Sequence, residues 1–272
     1  MKRTDTTSTT STILLTLLCL MIGACGGGTT DSGGQATPPP SAEPAAQTPP
    51  PSAATGPTGD GTVAGSIAFE GDPPNLRPIK MDADPVCAAK HDGPVIPDVL
   101  VLGDGQSLGN VFVQVTNPPA GTYPAPAEAA VIDQEGCLYT PHVLGVLAGQ
   151  TLQFQNSDGL LHNVHGRPEA NREFNMGMPP TLTEAETTLS RPEPMFPVKC
   201  DVHPWMQAYV AVMAHPFFAV SDASGEYRIE GLPAGEYELE AWHERLGTRT
   251  ATVTVGDGET ASADFTFSVP GT

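Results

Sequence analysis

The chain has 272 residues with 31 acidic and 12 basic side chains, a formal net charge of −19, 29 glycines and 29 prolines. This excess of Asp and Glu excludes sequence-independent nucleic-acid binding, which needs a basic face against the phosphates, and it favours a basic protein partner. The length suits one larger and one smaller domain, and the many glycines and prolines favour short strands joined by turns.

Residues 1–25 have the pattern of an export signal. Two basic residues precede a short apolar run, residues 13–22, that is too brief to span a bilayer. Residues 22–25 read Ile-Gly-Ala-Cys, which resembles the lipobox of bacterial lipoproteins; an ordinary cleaved signal is the alternative. The resemblance implies a lipid on Cys25 and a chain anchored in the cell envelope, at the periplasmic face of a membrane or at the outer membrane.

Residues 26–61 consist mainly of Gly, Thr, Ser, Ala and Pro, a composition that predicts a disordered tether without a core. Residues 62–70 then alternate apolar with small or polar side chains and end at a Gly-Asp-Pro-Pro sequence, which predicts a strand and a turn. Residues 109–116 predict a second strand, and we assign both strands to a domain spanning residues 62–217.

Sulfur and nitrogen donors concentrate around residue 200. Cys200, His203 and Met206 follow C-x2-H-x2-M spacing, and an upstream Leu-His-Asn-Val-His sequence offers His162 and His165. Two imidazoles, one thiolate and a weak thioether suit copper that cycles between Cu(I) and Cu(II), whereas zinc rarely recruits a thioether and calcium prefers oxygen. The sequence therefore predicts a copper site built from two separate segments.

These motifs, placed after strand-like runs within residues 138–156, resemble those of the cupredoxins, and the short Cys-to-Met loop is similar to the amicyanin type. The resemblance covers roughly residues 131–213 and implies a Greek-key β-sandwich that holds one type 1 copper. It also implies three equatorial ligands and one axial ligand, which are His162, Cys200, His203 and Met206.

Two further polar residues follow the first ligand histidine. His165 lies three positions after His162, so in an extended strand it points to the opposite face. We therefore predict that His165, together with Asn163, supports the ligands without binding the metal.

Two cysteines remain when those of the export segment and Cys200 are set aside. In an exported chain, Cys87 and Cys137 most simply form a disulfide. The alternative is a second metal site, because His91 follows Cys87 at C-x3-H and His142 follows Cys137 at C-x4-H.

Strand-like runs within residues 218–272 are separated by the turn residues Asp222, Gly225, Gly231, Leu232, Pro233 and Gly235. This pattern resembles the carboxypeptidase regulatory-like domain, a small β-sandwich, and the resemblance implies a scaffold and not catalysis. Because such modules often open with a Gly-x-Ile-x-Phe strand, residues 63–69 are a candidate to complete this sheet, which would make the copper unit an insertion. The predicted fold class is all-β.

The sequence predicts an envelope-anchored protein that carries single electrons to or from a redox partner such as a cytochrome or dehydrogenase. Storage or delivery of copper is the alternative, because it uses similar ligands. An enzyme is disfavoured, since Met206 fills the position that a substrate would need.

Overall fold

A computed structural model describes residues 56–269 of the chain. The export segment, Cys25 and most of the tether lie outside the described residues. Within residues 56–269 strands dominate, and the predicted all-β fold is confirmed. In that range, no helix combines the length and the apolar character that crossing a membrane would take.

The strands follow one another with few helical interruptions. The two helical pieces are α1, Pro85–Ala88, and a 3-10 turn, Asp104–Gln106. In chain order the strands are β1 Gly61–Phe69, β2 Phe112–Val115, β3 Ala130–Glu135, β4 Leu138–Thr140, β5 Val143–Leu147, β6 Thr151–Asn156, β7 His162–Gly166, β8 Phe174–Met178, β9 Glu184–Thr188, β10 Glu193–Lys199, β11 Gln207–Met213, β12 Phe218–Val220, β13 Glu226–Leu232, β14 Gly235–His243, β15 Gly247–Val255, β16 Thr260–Ser262 and β17 Phe265–Phe267.

The first sandwich is built from both ends of the described chain. One of its sheets has the order β13-β1-β16, with β17 also paired to β1, and the other has the order β12-β2-β14-β15. Alternating side chains of both sheets point inward, so that Ile67, Val113, Phe217 and Leu239 share one core and are at most 1% exposed. Burial of this apolar surface joins the early and late strands into one unit.

This pairing corrects the predicted domain of residues 62–217. Residues 63–69, in β1, pair with the C-terminal strands, as the glycine pattern had allowed. Strand β2 had been assigned to the copper domain, but it pairs with β12 and β14. Alternation shows that β2 is a strand but not which sheet it joins, because both sheets offer apolar inner faces. The copper-type motifs thus lie in a unit inserted between β2 and β12.

The inserted unit, residues 130–213, is a second sandwich. Its sheets have the orders β5-β11-β10-β7-β8 and β4-β3-β6-β9. Strand β6 alternates half-buried and buried residues, as a strand with one inward face does. The segment before β2 reaches this unit as well, since Met81 and Cys87 belong to its core.

The two sandwiches contact each other along β2, β5 and β11. Phe112, Val143 and Met213 form a small apolar cluster there. The ring centroids of Tyr209 and Trp242 lie 5.2 Å apart. His142 Nε2 also shares a hydrogen bond with a carboxylate oxygen of Glu244, and both side chains are at most 8% exposed. This contact uses the histidine that the second-metal alternative required.

Candidate metal centre

Three neighbouring antiparallel strands bring the predicted ligands to one end of a sheet. Strand β10 lies between β7 and β11, with Lys199 opposite both His165 and Gln207. In this antiparallel register the start of β7 extends past the end of β10 and lies beside the residues that lead to β11. His162 begins β7, whereas Cys200 follows β10 and opens the loop that leads to β11.

The donor atoms of three predicted ligands converge. The Nδ1 atoms of His162 and His203 are 2.9 Å apart, and Cys200 Sγ lies 3.9 Å from His203 Nδ1. One nitrogen or sulfur donor of each residue lies within 4.8 Å of the others. All three side chains are at most 3% exposed. Such a cluster combines two nitrogen donors and one sulfur donor away from bulk water.

Met206 ends the loop of residues 200–206, which carries three of the predicted ligands and is called the ligand loop below. Its carbonyl accepts a hydrogen bond from Cys200 N–H at 3.2 Å, and its own N–H donates to the His203 carbonyl at 2.9 Å. Its side chain is 1% exposed and belongs to the same core as Cys200. These backbone bonds hold the short loop in one conformation.

The Cys200 sulfur is surrounded by hydrogen-bond donors. Burial by itself would raise the pKa of this thiol, but hydrogen bonds from His162 and from the backbone N–H groups of Asn163 and His203 lower the pKa to about 7. The His203 N–H lies 3.3 Å from the sulfur. Because the thiolate is the form that binds metals, these donors prepare Cys200 as a ligand near neutral pH.

Each of the two predicted ligand histidines also has a carboxylate at its other ring nitrogen. His162 Nε2 lies 2.9 Å from Asp158 Oδ2, and His203 Nε2 lies 3.1 Å from Asp84 Oδ2. Burial lowers the pKa of His162, but the Asp158 carboxylate and the Cys200 sulfur outweigh that effect and raise the pKa to about 9. Neither carboxylate belongs to the sequence motifs that predicted the ligands.

Asp158 receives several hydrogen bonds at the turn between β3 and β4. Its two oxygens accept from the N–H groups of Gly136 and Cys137, each at 2.7 Å. Both turn residues have positive φ, 63° and 55°, as a two-residue hairpin turn requires. Burial raises the pKa of Asp158, but hydrogen bonds from His162, Cys137 and Lys90 outweigh it and lower the pKa to about 2.

Asn163 and His165 lie beside the ligand loop. The Asn163 side-chain oxygen accepts from the Asp201 N–H at 2.6 Å and the Val202 N–H at 3.3 Å, so it ties β7 to the loop. His165 instead bonds Asp201 through Nδ1 and Glu173 through Nε2, both at 2.9 Å. His165 belongs to none of the close donor groups among the described residues.

A disulfide covers one side of the site. Cys87 and Cys137 are joined, and both are fully buried. Cys87 belongs to α1, for which Asp84 is the N-cap, and its sulfur lies 3.6 Å from His203 Nε2. Helix α1 and its disulfide thus cap the loop histidine.

The second metal site proposed as an alternative does not assemble. His91 Nε2 bonds the Gly136 carbonyl at 2.7 Å, and His142 pairs with Glu244. Among residues 56–269, every cluster of close His, Cys, Asp and Glu donors contains His162 or His203, and the two clusters other than His162, Cys200 and His203 each include a cysteine of the disulfide.

Comparison with protein families identifies the C-terminal part of the chain. Residues 204–268 match the carboxypeptidase regulatory-like domain. This confirms the resemblance of the C-terminal residues, although the match begins within the ligand loop. Among curated proteins, no significant match to the chain is found.

Solved copper-protein structures superpose on part of the chain. A copper-containing nitrite reductase from Thermus scotoductus SA-01 is 19% identical, with 36% of this chain and 25% of that chain covered and a TM-score of 0.30. A purple cupredoxin from Nitrosopumilus maritimus is 23% identical, with 31% and 99% covered and a TM-score of 0.27. A methionine-to-alanine mutant of amicyanin in its Cu(I) form is 21% identical, with 37% and 98% covered and a TM-score of 0.29. Because these superpositions are partial and score low, we base the function on the donor geometry.

Proposed function

We propose that residues 130–213 hold one type 1 copper ion and that the protein carries single electrons between redox partners. The observation that carries this proposal is the convergence of one ring nitrogen of His162, one ring nitrogen of His203 and Cys200 Sγ within 4.8 Å of one another. When bound, copper would supply a one-electron couple between Cu(I) and Cu(II). Met206 would supply the fourth donor, a thioether sulfur.

The donor chemistry supports copper over other metals. Two imidazole nitrogens, a thiolate and a thioether are softer donors than the oxygens that calcium or magnesium requires, and zinc rarely binds a thioether. Cys200 is the free cysteine of the described residues, and its low pKa supplies the thiolate. The residues therefore fit a single copper ion.

The rigidity of the site supports electron transfer over catalysis. Strand pairing, the bonds within the ligand loop and the Asn163 bridge hold the donors in place. Little rearrangement between oxidation states favours fast electron exchange. An enzyme would need an open position for its substrate, and Met206 together with the cap over His203 disfavours one.

Metal analysis, an optical spectrum and voltammetry of the full exported chain test this function. We expect one copper per chain, strong visible absorption from the thiolate-to-copper transition and a reversible one-electron wave. A colourless protein loaded with copper would contradict the proposal. Rapid loss of copper to a mild chelator without a reversible wave would instead favour storage or delivery of copper.

The proposed location is the bacterial cell envelope, with a lipid on Cys25 as anchor, at the periplasmic face of a membrane or at the outer membrane. We expect the wild-type chain in the membrane fraction and the Cys25→Ala variant in the soluble fraction, because the anchor is the lipid. A wild-type chain found only in the soluble fraction would contradict this.

The net charge of −19 supports a basic redox partner, a cytochrome or dehydrogenase, since opposite charges speed encounter at low salt.

A further inference from the structure

Each proposed ligand histidine bonds a carboxylate through Nε2, the ring nitrogen that faces away from the other histidine. The sequence motifs assigned neither carboxylate a role. We propose that Asp158 and Asp84 are positioning residues that turn the two imidazoles toward the metal and stabilise Cu(II) relative to Cu(I). This inference rests on the proposed copper function and adds the residues that set the reduction potential.

The first argument is the direction of the ring nitrogens. A neutral imidazole carries a proton on one nitrogen and a free lone pair on the other, and the hydrogen bond of one nitrogen decides which is which. A carboxylate only accepts, so Nε2 of His162 donates to Asp158 and Nε2 of His203 donates to Asp84. In the neutral, metal-binding form of each ring, both Nδ1 atoms then carry no proton. They are the two atoms that face each other at 2.9 Å.

The second argument is charge. A carboxylate bonded to a ligand imidazole makes that ligand more basic, and its negative charge favours the more highly charged metal ion. The Asp158 side chain is 1% exposed, whereas the Asp84 side chain is 34% exposed and its charge is screened by water. The charge of Asp158 should therefore change the reduction potential more than the charge of Asp84 does. Lys90 opposes it, because its Nζ lies 3.0 Å from Asp158 Oδ1.

Substitutions that replace a charged side chain by a neutral one of similar size separate this role from a structural one. An asparagine at position 84 keeps an oxygen that can accept from Val86 and Cys87 N–H, so the N-cap of α1 is retained. Glu173→Gln is the matched control, because Glu173 bonds a histidine, His165, that is not a proposed ligand. Lys90→Gln removes the positive charge and leaves the Asp158 carboxylate in place.

The test is the midpoint potential of each copper-loaded variant, with Cu(I) and Cu(II) affinities measured by chelator competition. Asp158→Asn is expected to lower the ratio of Cu(II) to Cu(I) affinity about tenfold, which for one electron is a rise of about 59 mV. Asp84→Asn should change the potential in the same direction by less. Lys90→Gln should lower it, and Glu173→Gln should leave it unchanged.

A second measurement on the metal-free protein tests the positioning itself. Nitrogen NMR, recorded at a pH high enough for a neutral His162 imidazole, should find its proton on Nε2 in the wild type and a mixture of tautomers in Asp158→Asn. Equal potentials for wild type, Asp158→Asn and Lys90→Gln in proteins that keep the visible band would overturn the inference and leave the copper function standing. If Asp158→Asn does not fold, Lys90→Gln still shows whether the charge of Asp158 raises or lowers the reduction potential. A wild type without the band would overturn the copper function, and the tautomer measurement would then decide the positioning role by itself.

Discussion

Replacing Cys200 by serine is expected to abolish the visible absorption and most of the copper retention. The absorption requires a thiolate bound to copper, and a serine hydroxyl neither ionises near neutral pH nor offers a soft donor. Loss of a residue that only supports a ligand typically costs about 10–100-fold in metal affinity, and loss of the thiolate should cost more. Optical spectra and metal analysis of wild type and variant check this.

Met206→Leu is the control for that experiment. It keeps His162, Cys200 and His203, the three residues whose donors converge. We expect this variant to retain copper and its visible band, with a shifted reduction potential, because the thioether would tune the potential more than it would hold the metal. A Cys200→Ser protein that stays coloured would remove the ligand assignment.

Removing the disulfide is expected to lower the free energy of unfolding by about 4 kcal/mol, the chain-entropy estimate for a loop of this length. Cys87 and Cys137 are 50 residues apart in the sequence, so their bond closes a long loop in the unfolded chain. The double variant Cys87→Ala/Cys137→Ala measures the effect by urea unfolding. Reductant should destabilise the wild type and leave the double variant unchanged.

The same substitution should loosen the cap over the metal centre. The disulfide holds α1 against His203, where the Cys87 sulfur lies 3.6 Å from Nε2. We therefore expect a chelator to remove copper faster from the double variant than from the oxidised wild type. Equal stability and equal copper loss in the two proteins would show that the disulfide neither stabilises the fold nor covers the site.

Local patterns were most informative where a few neighbouring residues decide the outcome. The C-x2-H-x2-M spacing places three donors in one short loop, and alternation predicts the strands on both sides of it. The C-terminal turn residues likewise point to the regulatory-like sandwich, which the family match over residues 204–268 confirms. In contrast, the domain of residues 62–217 was wrong for β2, because side-chain alternation carries no information about the partner strand.

By itself, the sequence determined the donor types, their spacing in the ligand loop and the all-β character, since these depend on residues close together in the chain. Only the tertiary structure decided which side chains contact the predicted ligand histidines. Asp84 is 119 residues from His203 and Cys87 is 116 residues from it, and packing alone brings them into contact. Asp158 is near His162 in sequence, but its orientation depends on the β3–β4 turn that donates to it. The physical reason is that spacing selects which atoms can bind a metal, whereas burial and long-range contacts select the charges around it.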